Sequence, residues 1–168
     1  MPQINGQPDA TTTSKGKIQL AGDLTGSSAL PTLATTSIKL GYAQITSDFT
    51  TTSATTVQAT GLSVTVTVPA GGRSVKITAW TNYLYNSTAL HNARMSIWDG
   101  VVGSGTQISQ ASAYSINNGT GNQATAIAFF TPSAGSKTYN VGLQSDNTFT
   151  AGISAAATYP AFILVELI

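Results

Sequence analysis

The chain has 168 residues, of which only 8% are charged: seven Lys or Arg and six Asp or Glu give a formal net charge of +1. The cations are scattered, so there is no basic stripe for phosphates, and no nucleic-acid partner is expected. The absence of cysteine removes disulfide and thiolate chemistry, and no run approaches the ~20 apolar residues of a membrane helix, so no membrane insertion is expected.

Thr, Ser, Gly, Ala and Asn take the place of the missing charges. Thr favours strands, and Gly, Ser and Asn favour turns, so the bias is toward an all-β chain. The length suits one domain plus an appendage and is enough for a core without staples. A surface this poor in charge fits partial cover by other copies of the chain. It equally fits a β protein solvated by hydroxyls.

Residues 1–13 are polar, carry Pro2, Pro8 and Asn5-Gly6, and have nothing to bury. They contain no apolar segment of the secretory type, so synthesis and release in a cytoplasm is the expectation. Next comes Ser14-Lys15-Gly16-Lys17-Ile18-Gln19-Leu20-Ala21-Gly22-Asp23-Leu24-Thr25-Gly26-Ser27-Ser28-Ala29-Leu30-Pro31-Thr32-Leu33. Ile18 and Leu20 alternate with polar neighbours as a short strand does. Leu24, Leu30 and Leu33 are spaced apolar anchors. So sparse a segment cannot form a core alone, but several copies wound about one axis can.

This stretch resembles a motif that recurs in bacteriophage tail fibre and minor tail proteins. The usual form is Lys-Gly-Lys-Ile-Gln-Leu-Ala-Gly-Asp-Leu-Gly-Gly-Thr, then small residues and Pro-Thr-Val. The match is near-identical from Lys15 to Leu24. Thr25 stands where Gly is usual, Ser27 where Thr is usual and Leu33 where Val is usual. The resemblance implies a trimeric stalk or connector of a virion. On that reading Lys15, Lys17, Ile18, Leu20 and Leu24 are the candidate particle-attachment residues.

From Ile38 onward, strand signals follow one another at the spacing of a sandwich. Ile38 to Ile45 is a first strand, and Asp48 to Thr56 is a Thr/Ser-rich connector. Leu62 to Val68 alternates strictly between apolar residues and hydroxyls, and Pro69-Ala70-Gly71-Gly72 turns the chain. The next strand runs from Ser74 to about Tyr85, with Val75, Ile77 and Ala79 on one face. Ala93, Met95 and Ile97 mark another, closed by Asp99-Gly100. Further strands are expected over Gln107–Ile116, Ala124–Thr131 (with Ile127 and Phe129 at period two), Thr138–Leu143 and Phe149–Ala157. The last run, after Pro160, is Ala161-Phe162-Ile163-Leu164-Val165-Glu166-Leu167-Ile168, which reads as a strand buried on both faces. It needs a partner on each edge, from earlier strands or from other copies of the chain.

Eight to ten antiparallel strands with no helical period predict a jelly-roll β-sandwich head over residues 37–168, preceded by an extended N-terminal arm over residues 1–36. The turn of residues 66–72 and the apolar C-terminal strand resemble the trimeric jelly rolls of the tumour necrosis factor and complement-head type. At ~3.3 Å per residue, the arm reaches about 120 Å when fully extended.

Chemistry is sparse. The chain has one histidine, His91, and six carboxylates: Asp9, Asp23, Asp48, Asp99, Asp146 and Glu166. His91, Asp99 and a serine make a triad only on paper, with no Gly-x-Ser-x-Gly motif behind it, so no catalytic residue is assigned and no enzyme is expected. No metal-ligand spacing and no cofactor motif is present. The candidate ligand-binding residues are Trp80, Tyr83, Tyr85 and Trp98, aromatics beside Asn and Asp as a sugar-binding surface uses them. The same residue types fill cores and subunit interfaces. Period two puts Trp80 opposite Val75, Ile77 and Ala79. It puts Tyr83 and Tyr85 with Ala79, unless a bulge near Asn82 shifts the register.

The resemblances together imply a homotrimeric fibre or spike protein on a bacteriophage virion surface, made in the bacterial host cytoplasm. Its partners would be itself, tail or capsid proteins through the arm, and a host cell-surface glycan through the head. The alternatives are a capsid-attached head fibre or decoration protein without a receptor role, and a bacterial carbohydrate-binding or adhesin module.

Overall fold

The computed structural model describes the backbone of residues 24–27 and 30–33, and residues 37–168 in full. The chain divides into two units, Met1–Ser37 and Ile38–Ile168. In the first, strands β1 (Leu24–Ser27) and β2 (Leu30–Leu33) pair antiparallel, with Leu24 opposite Leu33 and Ser27 opposite Leu30. The expected strand at Ile18 and Leu20 lies outside the described residues, as do Lys15 and Lys17.

The second unit holds β3 (Ile38–Ile45), β4 (Phe49–Thr51), β5 (Gln58–Val68), β6 (Val75–Asn86), β7 (His91–Asp99), β8 (Thr106–Ser115), β9 (Gly121–Phe130), β10 (Gly135–Ser145), β11 (Ala151–Ser154) and β12 (Ala161–Leu167). One sheet has the order β5-β10-β7-β8. The other runs β3-β12-β6-β11-β4, with β9 also paired to β6. Every pairing is antiparallel. Because β12 and β9 both pair with β6 over residues 75–80, they lie on its opposite edges. Apart from short β4 and β11, two four-stranded layers result, β3-β12-β6-β9 and β5-β10-β7-β8. The chain changes layer at most connections, as a jelly roll does.

The core follows from alternation. Leu62, Val64, Val66 and Val68 of β5, with Val141 and Leu143 of β10 and Met95 and Ile97 of β7 in the same layer, form one core with Val75, Ile77 and Ala79 of β6 and Ile163, Val165 and Leu167 of β12. β3 joins this layer through an irregularity beside Gly41, where a Cβ would run into Val64 and Val66. Glycine at 41 therefore lets the two layers close. The tight turns after β5 and β7 use positive φ at Gly71, Gly72 and Gly100.

Two local expectations change. The Thr/Ser-rich connector contains the short strand β4, recruited by β11. On β9 it is Ala124, Ala126 and Ala128 that enter the core, while Ile127 and Phe129 face outward, 44% and 62% exposed. Strand β8 of the other layer passes close to β9, and the Ser109 hydroxyl donates to the Ile127 carbonyl at 2.8 Å. Small side chains suit so close an approach.

Candidate functional site

The outer face of the β3-β12-β6-β9 layer is built from three cross-strand rows. The first is Gln44, Phe162, Trp80 and Thr125; the second is Tyr42, Leu164, Thr78 and Ile127; the third is Lys39, Glu166, Lys76 and Phe129. The Trp80 ring stacks on Phe162 at 5.4 Å between centroids and 25° between planes. Phe162 in turn tilts against Tyr42 at 5.7 Å. The Lys39 ammonium lies 5.1 Å from the Tyr42 ring centroid, a cation–π distance. In the third row Lys76 and Glu166 form an ion pair at 3.2 Å. The result is an apolar and aromatic band whose charges lie in the third row, close to partners of opposite sign or to a ring.

Tyr83 and Tyr85 join this face, because the register of β6 against β9 shifts between Thr81 and Leu84. Thr81 is buried, Asn82 is exposed, and Leu84 and Asn86 then take the inward positions. The bulge thus turns both tyrosines to the Trp80 side. Their rings lie 5.6 Å apart. The Tyr83 hydroxyl donates to the Gly119 carbonyl at 2.6 Å. The Tyr85 ring covers Gly152, where any Cβ would collide with it. Burial, and then the nearby Asp48 and Tyr83, raise the Tyr85 phenol above its ordinary pKa.

Trp98 is placed elsewhere. It belongs to β7 in the other layer and is only 9% exposed. Its indole N–H donates to the Ser96 hydroxyl at 2.8 Å. The space above the neighbouring Gly142 is filled by Trp98, Val57 and Val102. Trp98 therefore has no free ring face to offer a sugar. The structure brings Trp80, Tyr83 and Tyr85 to one side and separates Trp98 from them. Leu24 sits in β1 opposite Leu33, while Lys15, Lys17, Ile18 and Leu20 lie outside the described residues.

His91 starts β7 and Asp99 ends it, so the paper triad is split along a whole strand. The partner of His91 is Asp146, at 3.2 Å from Nδ1 to Oδ1. The second Asp146 oxygen accepts from the Asn92 backbone at 2.8 Å and from its side-chain amide at 3.1 Å. Burial alone would raise the Asp146 pKa, but these hydrogen bonds and His91 hold it below the ordinary value. No sequence signal links residues 55 apart; the contact exists because β7 and β10 are register partners. Among the described residues no group of three or more His, Asp or Glu side chains gathers as a metal site would, and no helix is long and apolar enough to cross a membrane.

Chemically, the outer sheet face can cover apolar surface and stack on flat rings.

Residues 8–76 match the family described as a repeat of unknown function, DUF5907. That span runs from the N-terminal unit into the start of β6. No curated protein matches the chain. Among solved structures, the chain is similar to "Structure of infectious bursal disease virus Gt strain" at 13% identity and a TM-score of 0.23, covering 92% of this chain and 47% of that one. It is similar to "Crystal structure of infectious bursal disease virus VP2 subviral particle" at 14% identity and a TM-score of 0.23, with the same coverage. The chain thus spans about half the length of those structures, and a likeness this shallow carries no functional weight.

Proposed function

We propose that the protein is a structural surface protein of a bacteriophage virion: a homotrimeric fibre or spike with residues 1–36 as the attachment arm and the jelly roll as the projecting head. The observation that carries the reading is the outer face of the β3-β12-β6-β9 layer. Tyr42, Phe162, Trp80, Leu164, Ile127 and Phe129 share that face across four strands. Soluble monomers rarely leave so many large apolar side chains on one sheet face to water, and interfaces are enriched in these residue types. The occupant proposed for this face is a second copy of the chain, related by a threefold axis. The resemblance of Lys15–Leu33 to the tail-fibre motif supports both the trimer and the virion. Adhesion of the head to a host-surface glycan is part of this reading.

The test is incorporation. Deleting residues 1–36 should leave a folded head and remove the protein from purified particles. A head that fails to fold without the arm would contradict the division of labour. Particles that retain the shortened protein would contradict the role of the arm. Imaging the intact protein on particles then separates tail from capsid attachment.

A further inference from the structure

The head is entered at Ile38, which is opposite Leu167, itself opposite Val75. The C-terminal Ile168 lies at the same end, donating its N–H to the Ser74 carbonyl at 2.9 Å. The opposite end carries three connections that meet around one residue: residues 87–90 after β6, 116–120 after β8 and 146–150 after β10; the β4–β5 connection runs beside them, where the Ser145 N–H donates to the Ser53 carbonyl at 3.0 Å. Those loops lie at the end of the jelly roll away from Ile38 and Ile168.

They are tied together from below by Asn86, which is fully buried. Its amide nitrogen donates to Ser145 Oγ at 2.9 Å and to the Asn92 carbonyl at 3.2 Å. Its amide oxygen accepts from the Thr88 N–H at 3.0 Å, and its own N–H donates to Ser115 Oγ at 2.8 Å. The Gly119 N–H returns to the Asn86 carbonyl at 3.2 Å. One side chain and its peptide groups thus fix all three loops, the kind of support a preorganised site needs.

On this base stand three apolar tips, Leu90, Ile116 and Phe149, which are 66%, 69% and 50% exposed. Leu90 is the one non-glycine residue with positive φ among the described residues, at 64°. A leucine there is strained, and so exposed a side chain does not offset that strain by packing. Phe149 lies 6.3 Å from the His91 ring, next to the Asp146 carboxylate. Asn147 leaves its buried amide nitrogen without a protein partner.

We infer that this loop end is a carbohydrate-binding site for a neutral polysaccharide, resting on the proposed adhesion role but placing it away from Trp80. The apolar tips are single residues separated by Asn, Thr, Ser and Asp, not the continuous patch that a protein partner of standard size covers. A hydroxyl-rich ligand matches that alternation of ring and polar group. The three loops contain no Lys or Arg, and Asp146 is their one charged residue. They therefore disfavour polyanions.

The test uses full-length protein on a printed array of bacterial surface polysaccharides, with Phe149→Ala and Leu90→Gly as variants. Both remove exposed side chains, and glycine suits the φ of residue 90, so folding should be kept; melting curves check this. Retention of wild type on neutral polysaccharides, lost after periodate treatment of the spot, with at least a tenfold drop for either variant, supports the assignment. Undiminished binding by both variants, periodate-resistant binding or binding to acidic polysaccharides alone overturns it. So does the absence of any retention, while particle incorporation of the same protein reports separately on the virion role.

Discussion

Trp80 and Phe162 are register partners on adjacent strands, and their rings stack at 5.4 Å on the side of the sheet away from the core. Stacking across β6 and β12 uses one face of each ring, and Tyr42 tilts against Phe162 beyond it. Together they form a row of packed aromatic rings on the outer face, suited to being covered by another apolar surface.

In the proposed trimer the C-terminal strand separates folding from assembly at neighbouring residues. Val165 is fully buried between the layers, whereas Leu164 is half-buried on the outer face. Val165→Asp places a carboxylate in the core, at a cost of several kcal/mol against the roughly 5–15 kcal/mol of a whole domain. It should yield insoluble protein. Leu164→Asp should give a soluble, folded head that no longer associates. Circular dichroism melting and light scattering on both variants check the contrast; equal behaviour would contradict the assigned faces.

The strand itself was legible in sequence, but its expected burial on both faces was not met: Phe162, Leu164 and Glu166 are only half-buried. Strict alternation in β5 and in the first half of β6 reports the inward face directly. The sense of alternation on β9 was not legible, because large Ile127 and Phe129 outrank alanine in hydrophobicity, yet only alanine suits the close approach of β8. The fate of Tyr83 and Tyr85 depended on a bulge that no residue type near Asn82 demands. Trp98 shares the space above Gly142 with Val102 of the following turn and with Val57, which comes from a distant part of the chain. His91 with Asp146 is likewise a product of topology.

Tyr139 is fully buried, edge-on to Phe130, and its hydroxyl finds no protein partner. Removing an unsatisfied buried hydroxyl should leave stability unchanged or raise it by about 1 kcal/mol. Tyr139→Phe is thus expected to melt at or above the wild-type temperature. A clear drop would mean that the hydroxyl is satisfied.

The same residue sets an alkaline limit. Burial, and then the Asp99 charge, push the Tyr139 phenol up to about 12 from 10.0. The folded state therefore favours the neutral phenol. Its contribution is complete below pH 10 and is lost as pH rises through about 12. Tyr139→Phe should flatten that limb of the stability curve, and an unchanged limb would count against it.

Asp146 acts at the acid end with the opposite sign. Its pKa is lowered in the folded head, so its contribution is present above the ordinary carboxylate value of 3.8 and is lost as pH falls through the lower folded value. Asp146→Asn should weaken the head at neutral pH and flatten its acid denaturation. Denaturant melts in steps from neutral pH to below pH 3.8 measure this. Parallel curves for wild type and variant would remove Asp146 from the account.

The most direct measurement is the solution mass of the full-length protein and of Phe129→Asp. Phe129 is exposed in the single chain, so the substitution spares the core while placing a carboxylate in the outer face. Sedimentation equilibrium at micromolar concentration should give three times the chain mass of 17.2 kDa for wild type and 17.2 kDa for the variant, with equal melting of the head. A stable wild-type monomer, or a variant that remains trimeric, would contradict assembly through this face.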